Sequence, residues 1–164
     1  MRLLSVCVKE LMIVRKSENQ DREQVVEVLR LLFRGAKDTV TLSTSLTSDL
    51  LDAVAPDIKE CITRVKSFKM YLDSRVDVGA ARLKYPWLFS GPKVHIFQAA
   101  TPIPHWIMID NRDLRLEESH VFPVQQGEWQ PRSNMTILDA DPAVAEAVRR
   151  RFQQFTSHVS VVKS

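Results

Sequence analysis

The chain has 164 residues, of which 45% are hydrophobic and 26% charged, with a formal net charge of +3. That balance suits one ordinary globular domain, excludes a disordered or collagen-like chain, and leaves no apolar run near the roughly 18 residues that cross a bilayer. Four glycines are too few and too scattered for a phosphate loop or a dinucleotide fingerprint, and two cysteines, Cys7 and Cys61, lack the CxxC spacing of a zinc knuckle or redox dithiol. A reducing, cytoplasmic setting and no cofactor are expected. The basic residues are interleaved with acids, so charge permits an anionic partner without demanding one.

Residues 1–20 are expected to form a strand or short helix, and residues 21–164 a single α/β domain. Met1 to Val8 begins like a leader, but charge returns at Lys9 and Glu10 before a secretory core develops. A first helix starts at Asp21, with Gln24 placed for a capping box, carries Val25, Val28, Leu29 and Leu32 on one face and stops at Gly35. Thr39 to Thr44 is β-branched and alternating, as a strand requires. A second apolar face follows through Leu50, Val54, Ile58, Cys61 and Val65, where Pro56 either kinks the helix or begins a new one. Ser67 to Asp73 alternates strictly, which completes a βαβ unit with parallel strands.

Val78 to Leu83 reads as helix, and Tyr85-Pro86-Trp87 with Ser90-Gly91-Pro92 as loop. Lys93 to Ala99 is a third strand. His105–Asp110 and Leu114–Glu118 form a hairpin that turns near Asn111-Arg112, and Val121 to Val124 adds an edge strand. After a polar loop with Gly127 and Pro131, Met135 to Leu138 is the last strand. Asp139 or Asp141 then caps a helix carrying Val144, Val148, Phe152 and Phe155 on one face. The fold class is therefore α/β: a mixed sheet flanked by helices, with Val40, Leu42, Phe68, Met70, Leu72, Ile96, Ile107, Ile109 and Ile137 buried.

The order of landmarks resembles half of a phospholipase D superfamily member over roughly residues 21–158. A helix precedes "VTLST", another feeds "SFKMYLD", and "VHIFQA" is followed by a His-led strand ending in "IMIDN". "SNMTILDADPAVAEAVRRRFQQF" is similar to the family's closing pattern of an Asn, a strand, an Asp and an Ala-rich helix. The resemblance implies a His-x-Lys-x-x-x-x-Asp signature in active members, with the histidine attacking phosphorus and the lysine steadying phosphate oxygens. Here His105 matches the histidine, Ile107 stands at the lysine position and Arg112 at the aspartate position. Loss of the lysine removes the fixed charge that phosphoryl transfer needs. The resemblance is thus to degenerate members that act as ligand-sensing domains of archaeal-type transcription regulators or as binding domains, and it implies a homodimer or a protein partner. If the site were active, His105 and Asp110 would carry it, although in a straight strand they point to opposite faces.

Ser43, Thr44, Ser45 and Ser48 run from a strand end into a helix, where they bind an anion or serve as caps. His105, Asp110, Asp113, Glu117, Glu118 and His120 are dense in ligating atoms, but no HExxH or helical His-x-x-x-His pattern supports a metal. His105, Asp110 and Asp113 remain as ligand-binding candidates. Arg149, Arg150 and Arg151 are the nucleic-acid candidates, although on a helix they spread over more than half the circumference. Trp87, Trp106 and Trp129 have faces that stack on bases or sugars. Trp106 is expected in the core, and Trp87 and Trp129 in loops.

Overall fold

The computed structural model describes residues 12–17, 22–46, 50–117 and 134–163. The strands are β1 (Met12–Ser17), β2 (Thr39–Thr44), β3 (Ser67–Leu72), β4 (Val94–Ala99), β5 (His105–Ile109), β6 (Asp113–Glu117), β7 (Asn134–Leu138) and β8 (Val159–Lys163). Among the described residues five helices join them: α1 (Arg22–Gly35), α2 (Leu50–Arg64), α3 (Val78–Lys84), α4 (Pro86–Ser90) and α5 (Pro142–Phe155). All eight strands form one mixed sheet in the order β1-β7-β6-β5-β2-β3-β4-β8. β2, β3 and β4 are parallel and the other pairs antiparallel. The short turns that build the β5–β6 hairpin reverse the chain, whereas the β2–β3 pairing needs the crossover that α2 provides.

Side-chain alternation divides the sheet into two faces with separate cores. On one, Val40, Leu42, Phe68, Met70, Ile96, Ile107 and Ile109 pack against Val25, Phe33, Val54 and Ile58 of α1 and α2. On the other, Trp106, Met108, Leu114 and Ile137 meet Ala145 and Phe152 of α5, and the Trp106 and Phe152 rings stack at 4.1 Å and 7°. All the apolar residues expected inside are buried, including Leu72 and Ile137.

Ions tie α1 to α2. Asp57, 8% exposed, receives Arg34 at 2.7 Å and Arg30 at 3.5 Å. Arg64 donates to the carbonyls of Phe33, Arg34 and Ala36, which closes the C-terminal end of α1, where carbonyls have no helical partner. α5 begins at Pro142, and Asp141 caps it by accepting the Ala143 N–H at 2.8 Å.

Several expectations are amended. The segment expected as loop at Tyr85 to Ser90 contains α4, because Pro86 takes the first helical position, where its missing N–H costs nothing. Pro56 neither ends nor restarts α2, which runs through it. The edge strand β8 extends the sheet beyond the segments named from the sequence, while the other edge strand, β1, lies within the residues 1–20 read as a strand or short helix. The Asp21 cap, the Val121–Val124 strand and the Gly127–Pro131 loop lie outside the described residues. Among the described residues no helix is long and apolar enough to cross a membrane.

Asp110 fixes the join between the hairpin and the parallel strands. With Asn111 it adopts positive φ (53° and 52°), and Arg112 N–H bonds Ile109 C=O, so the hairpin turns through the left-handed conformation that Asp and Asn tolerate. Its carboxylate accepts the N–H groups of Lys37, Asp38 and Thr39, each at 2.8 Å, on the way from α1 into β2. Burial pushes its acidity one way, but these bonds and the Arg112 charge prevail and lower its pKa. Replacing Asp110 by Ala removes charge-assisted bonds of about 1.5–3 kcal/mol in net value. Urea unfolding of Asp110→Ala should show a loss of about that size; a loss under ~0.5 kcal/mol, the ordinary surface range, would show that the carboxylate is not a structural tie.

Candidate functional site

The site expected at the start of the His-led strand is built where β5 leaves the C-terminal end of β2. Ser43, 3% exposed, pairs with Trp106 across the two strands. Its hydroxyl accepts the Trp106 N–H at 3.0 Å and donates to the Pro104 carbonyl, so it clamps the entry to β5. Thr44 Oγ1 accepts the Leu46 N–H at 3.1 Å, a local turn bond. Ser45 is buried, and Ser48 lies outside the described residues. Beside them Asp73, fully buried, accepts Arg75 Nε at 2.7 Å, Arg75 Nη2 at 2.9 Å, and the N–H groups of Arg75 and Ile103 at 3.0 and 3.2 Å. Burial alone would raise its pKa, but these bonds and the Arg75 charge outweigh that and lower it. Asp73 therefore holds the β3 exit and the segment before β5 together as a charged pivot.

His105 is 13% exposed, and its Nδ1 lies 3.9 Å from Glu117 Oε2. The register explains the meeting, because His105 faces Glu117, Ile107 faces Arg115 and Ile109 faces Asp113 across β5 and β6. Arg115 is 1% exposed and holds Glu117 Oε1 through Nε at 3.0 Å and Nη2 at 2.9 Å. Its Nη1 donates to Thr136 Oγ1 at 3.0 Å on β7. The histidine thus stands beside a carboxylate, and the cation of the cluster is turned toward that carboxylate and a hydroxyl. Ile107, at the position where the resemblance puts a lysine, is 8% exposed and packed in the α1–α2 core.

Asp110 and Asp113 do not join His105. From His105 to Ile109, at about 3.3 Å per residue, the strand carries them roughly 13 Å away. Asp113 accepts the Asp139 N–H at 2.8 Å and pairs with Arg112 at 2.8 Å, so it pins the turn before α5 to the hairpin. Of the rest of the sequence cluster, Glu117 lies at the histidine, and Glu118 and His120 fall outside the described residues.

The arginine run lies on α5. Arg149 and Arg150 both bond Glu146, at 2.7 and 2.9 Å, and these contacts hold the Glu146 carboxyl down to about 2. Arg151 bonds Gln154 at 2.9 Å and covers the Phe155 ring at 4.9 Å. Trp106 is in the second core as expected, while Trp87 is partly buried under Lys59 and edge-on to Tyr85; Trp129 is outside the described residues. Sequence reasoning missed Arg115, Thr136 and Asp73. The alternation Asp113-Leu-Arg-Leu-Glu117 was the available signal, since it puts Arg115 on the face of Ile107 once the hairpin register is known.

A buried ion pair broken on one side leaves an uncompensated charge, which costs about 3–5 kcal/mol, whereas replacing both partners by apolar groups is often neutral. Arg115→Met should therefore destabilise the fold by about 3 kcal/mol in urea, and Arg115→Met with Glu117→Met should recover most of it. Equal losses in the single and double variants would show that Arg115 is held by packing rather than by Glu117.

No family model and no curated protein matches the sequence. Solved structures do. Nuc from Salmonella typhimurium, described as a phospholipase D family member, superposes with a TM-score of 0.64 at 16% identity, covering 94% of this chain and 99% of that one. NucT from Helicobacter pylori gives 0.63 at 13% identity, with 93% and 97% covered. An archaeal chromatin protein whose structure is described as showing a novel mode of DNA binding gives 0.62 at 12% identity, with 98% of this chain and 60% of that chain covered. The fold is phospholipase D-like, and at these identities the likeness is one of fold.

Proposed function

We propose that the chain is a phospholipase D-like binding or regulatory module that acts through ligand or protein contact rather than by phosphodiester cleavage. The observation that carries this reading is the neighbourhood of His105. A histidine that attacks phosphorus works where fixed positive charge is aimed at the phosphate oxygens. Among the described residues Glu117 stands 3.9 Å from it, and Arg115 bonds that carboxylate and Thr136. Glu117 lies on the Nδ1 side of His105, where a carboxylate orients an imidazole, so what weighs against cleavage is the buried Ile107 at the lysine position. Asp110, the acid named with His105 from the sequence, stands at the far end of the hairpin and holds three N–H groups.

Self-association belongs to the same reading, because a half-domain keeps the surface that in active family members faces a second half; we place the hairpin carrying His105 at its centre.

A second reading, nucleic-acid binding, is favoured by the likeness to the archaeal chromatin protein. Against it, Arg149 and Arg150 share one carboxylate, so the run offers less free charge than its sequence suggests. Fluorescence anisotropy with one duplex and one single strand separates the two. The module reading expects weak binding at about 0.15 M salt, where the Debye length is about 8 Å; submicromolar affinity that falls steeply with salt would favour the second.

Catalysis has its own test. Purified protein incubated with a generic diester and with single-stranded DNA should show only background hydrolysis, the same in His105→Ala. Hydrolysis that disappears in His105→Ala would overturn the non-catalytic reading.

A further inference from the structure

On the opposite side of β5 from His105, a cavity of about 320 Å³ opens between the sheet and α5. Its floor is Trp106 and Phe152, and its polar wall includes Thr41 and Lys69 of the sheet, Asn111 of the β5–β6 turn and Arg149 of α5. Lys69 and Arg149 are the charged residues of the described lining, and both are positive. Lys69 lies in the middle of β3, with Thr41 on one flank and His95 on the other, and points away from the buried Phe68 and Met70. Among the described residues no carboxylate pairs with it. Arg149 and Arg150 share Glu146, so that cluster keeps a net positive charge.

Trp106 is 3% exposed, and its Nε1–H is closed off from the cavity, so the indole contributes ring surface and no donor to an occupant. The ring faces of Trp106 are already engaged by Phe152 at 4.1 Å and Tyr71 at 5.8 Å, so the wall is not a platform for stacking a base. What it offers is cations, hydroxyls and amides around a space of roughly ten water volumes.

We propose that this cavity is a binding site for a small organic phosphate. Lys69, with no acid partner among the described residues, and several neutral donors suit a compact anion with many oxygens, beside Arg149, whose Nε and Nη2 are held by Glu146 at 2.7 Å each, and the cavity exceeds the size of the bare ion. The site goes beyond the binding role assigned above by naming its place and ligand class. It lies on the other sheet face, so its failure leaves the account of His105 standing, and activity at His105 would leave it standing in turn.

The test is calorimetric titration of the full chain with glycerol 3-phosphate, alongside inorganic phosphate, glycerol and glycerate, with amide NMR shifts to locate the site. Glycerol 3-phosphate should bind saturably and shift Thr41, Lys69 and Asn111, more tightly than inorganic phosphate, while glycerol should not bind. Lys69→Gln, an exposed position that tolerates the change, should weaken it about tenfold, equivalent to about 1.4 kcal/mol. Arg149→Gln should also weaken it, and Lys66→Gln, whose lysine pairs with Asp38, should not. Lack of saturable binding at millimolar ligand, affinity unchanged in Lys69→Gln, or equal binding of glycerate would each overturn the assignment.

Discussion

β5 is read from both sides. Its Ile107 and Ile109 enter the α1–α2 core while Trp106 and Met108 enter the α5 core, and it pairs with β2 on one edge and β6 on the other. A slip of one residue would exchange the two sets and put His105 on the wrong face. Both cores resist that slip, because Trp106 stacks on Phe152 while Ile109 is fully buried. The two ends of the strand are clamped as well, by Ser43 at its entry and by Asp110 at its exit. Everything with chemical interest follows from this register: His105 opposite Glu117, Ile107 opposite Arg115, and Trp106 in the wall of the second-face cavity.

The register also explains how the polar groups near His105 come together. Arg115 is carried onto the same face as Ile107, where burial obliges it to find partners. Glu117, two residues along β6, and Thr136, in register on β7, accept from it. Among the described residues Arg115 and Glu117 offset each other's charge within the sheet. On the α5 side, among the described residues, Lys69 has no acid partner and Arg149 and Arg150 divide one.

Much of this was legible in the sequence. Strict alternation in Ser67 to Leu72 gave both strand and buried face, the β2-α2-β3 unit followed from its periodicity, and the strand, Asp and Ala-rich helix pattern at the C-terminal end placed α5. The missing lysine was visible as Ile107. Pairing across strands was less legible, because Arg115 looks like an exposed hairpin charge until its neighbour is known. Asp110 looked like a candidate ligand, since a carboxylate that caps a distant loop carries no local mark of it. The cavity depends on α5 crossing β3, a contact between segments far apart in the chain, and Lys69 alone reads as an ordinary outward strand residue.

The central claim, that His105 does not act as a nucleophile toward phosphorus, is tested most directly by trapping the covalent product. The chain would be mixed with an activated aryl phosphodiester and denatured at alkaline pH, where a phosphorus–nitrogen bond to histidine survives, and its intact mass measured. The account predicts an unchanged mass at every mixing time. A phosphoryl adduct that maps to His105 and is absent from His105→Ala would contradict it.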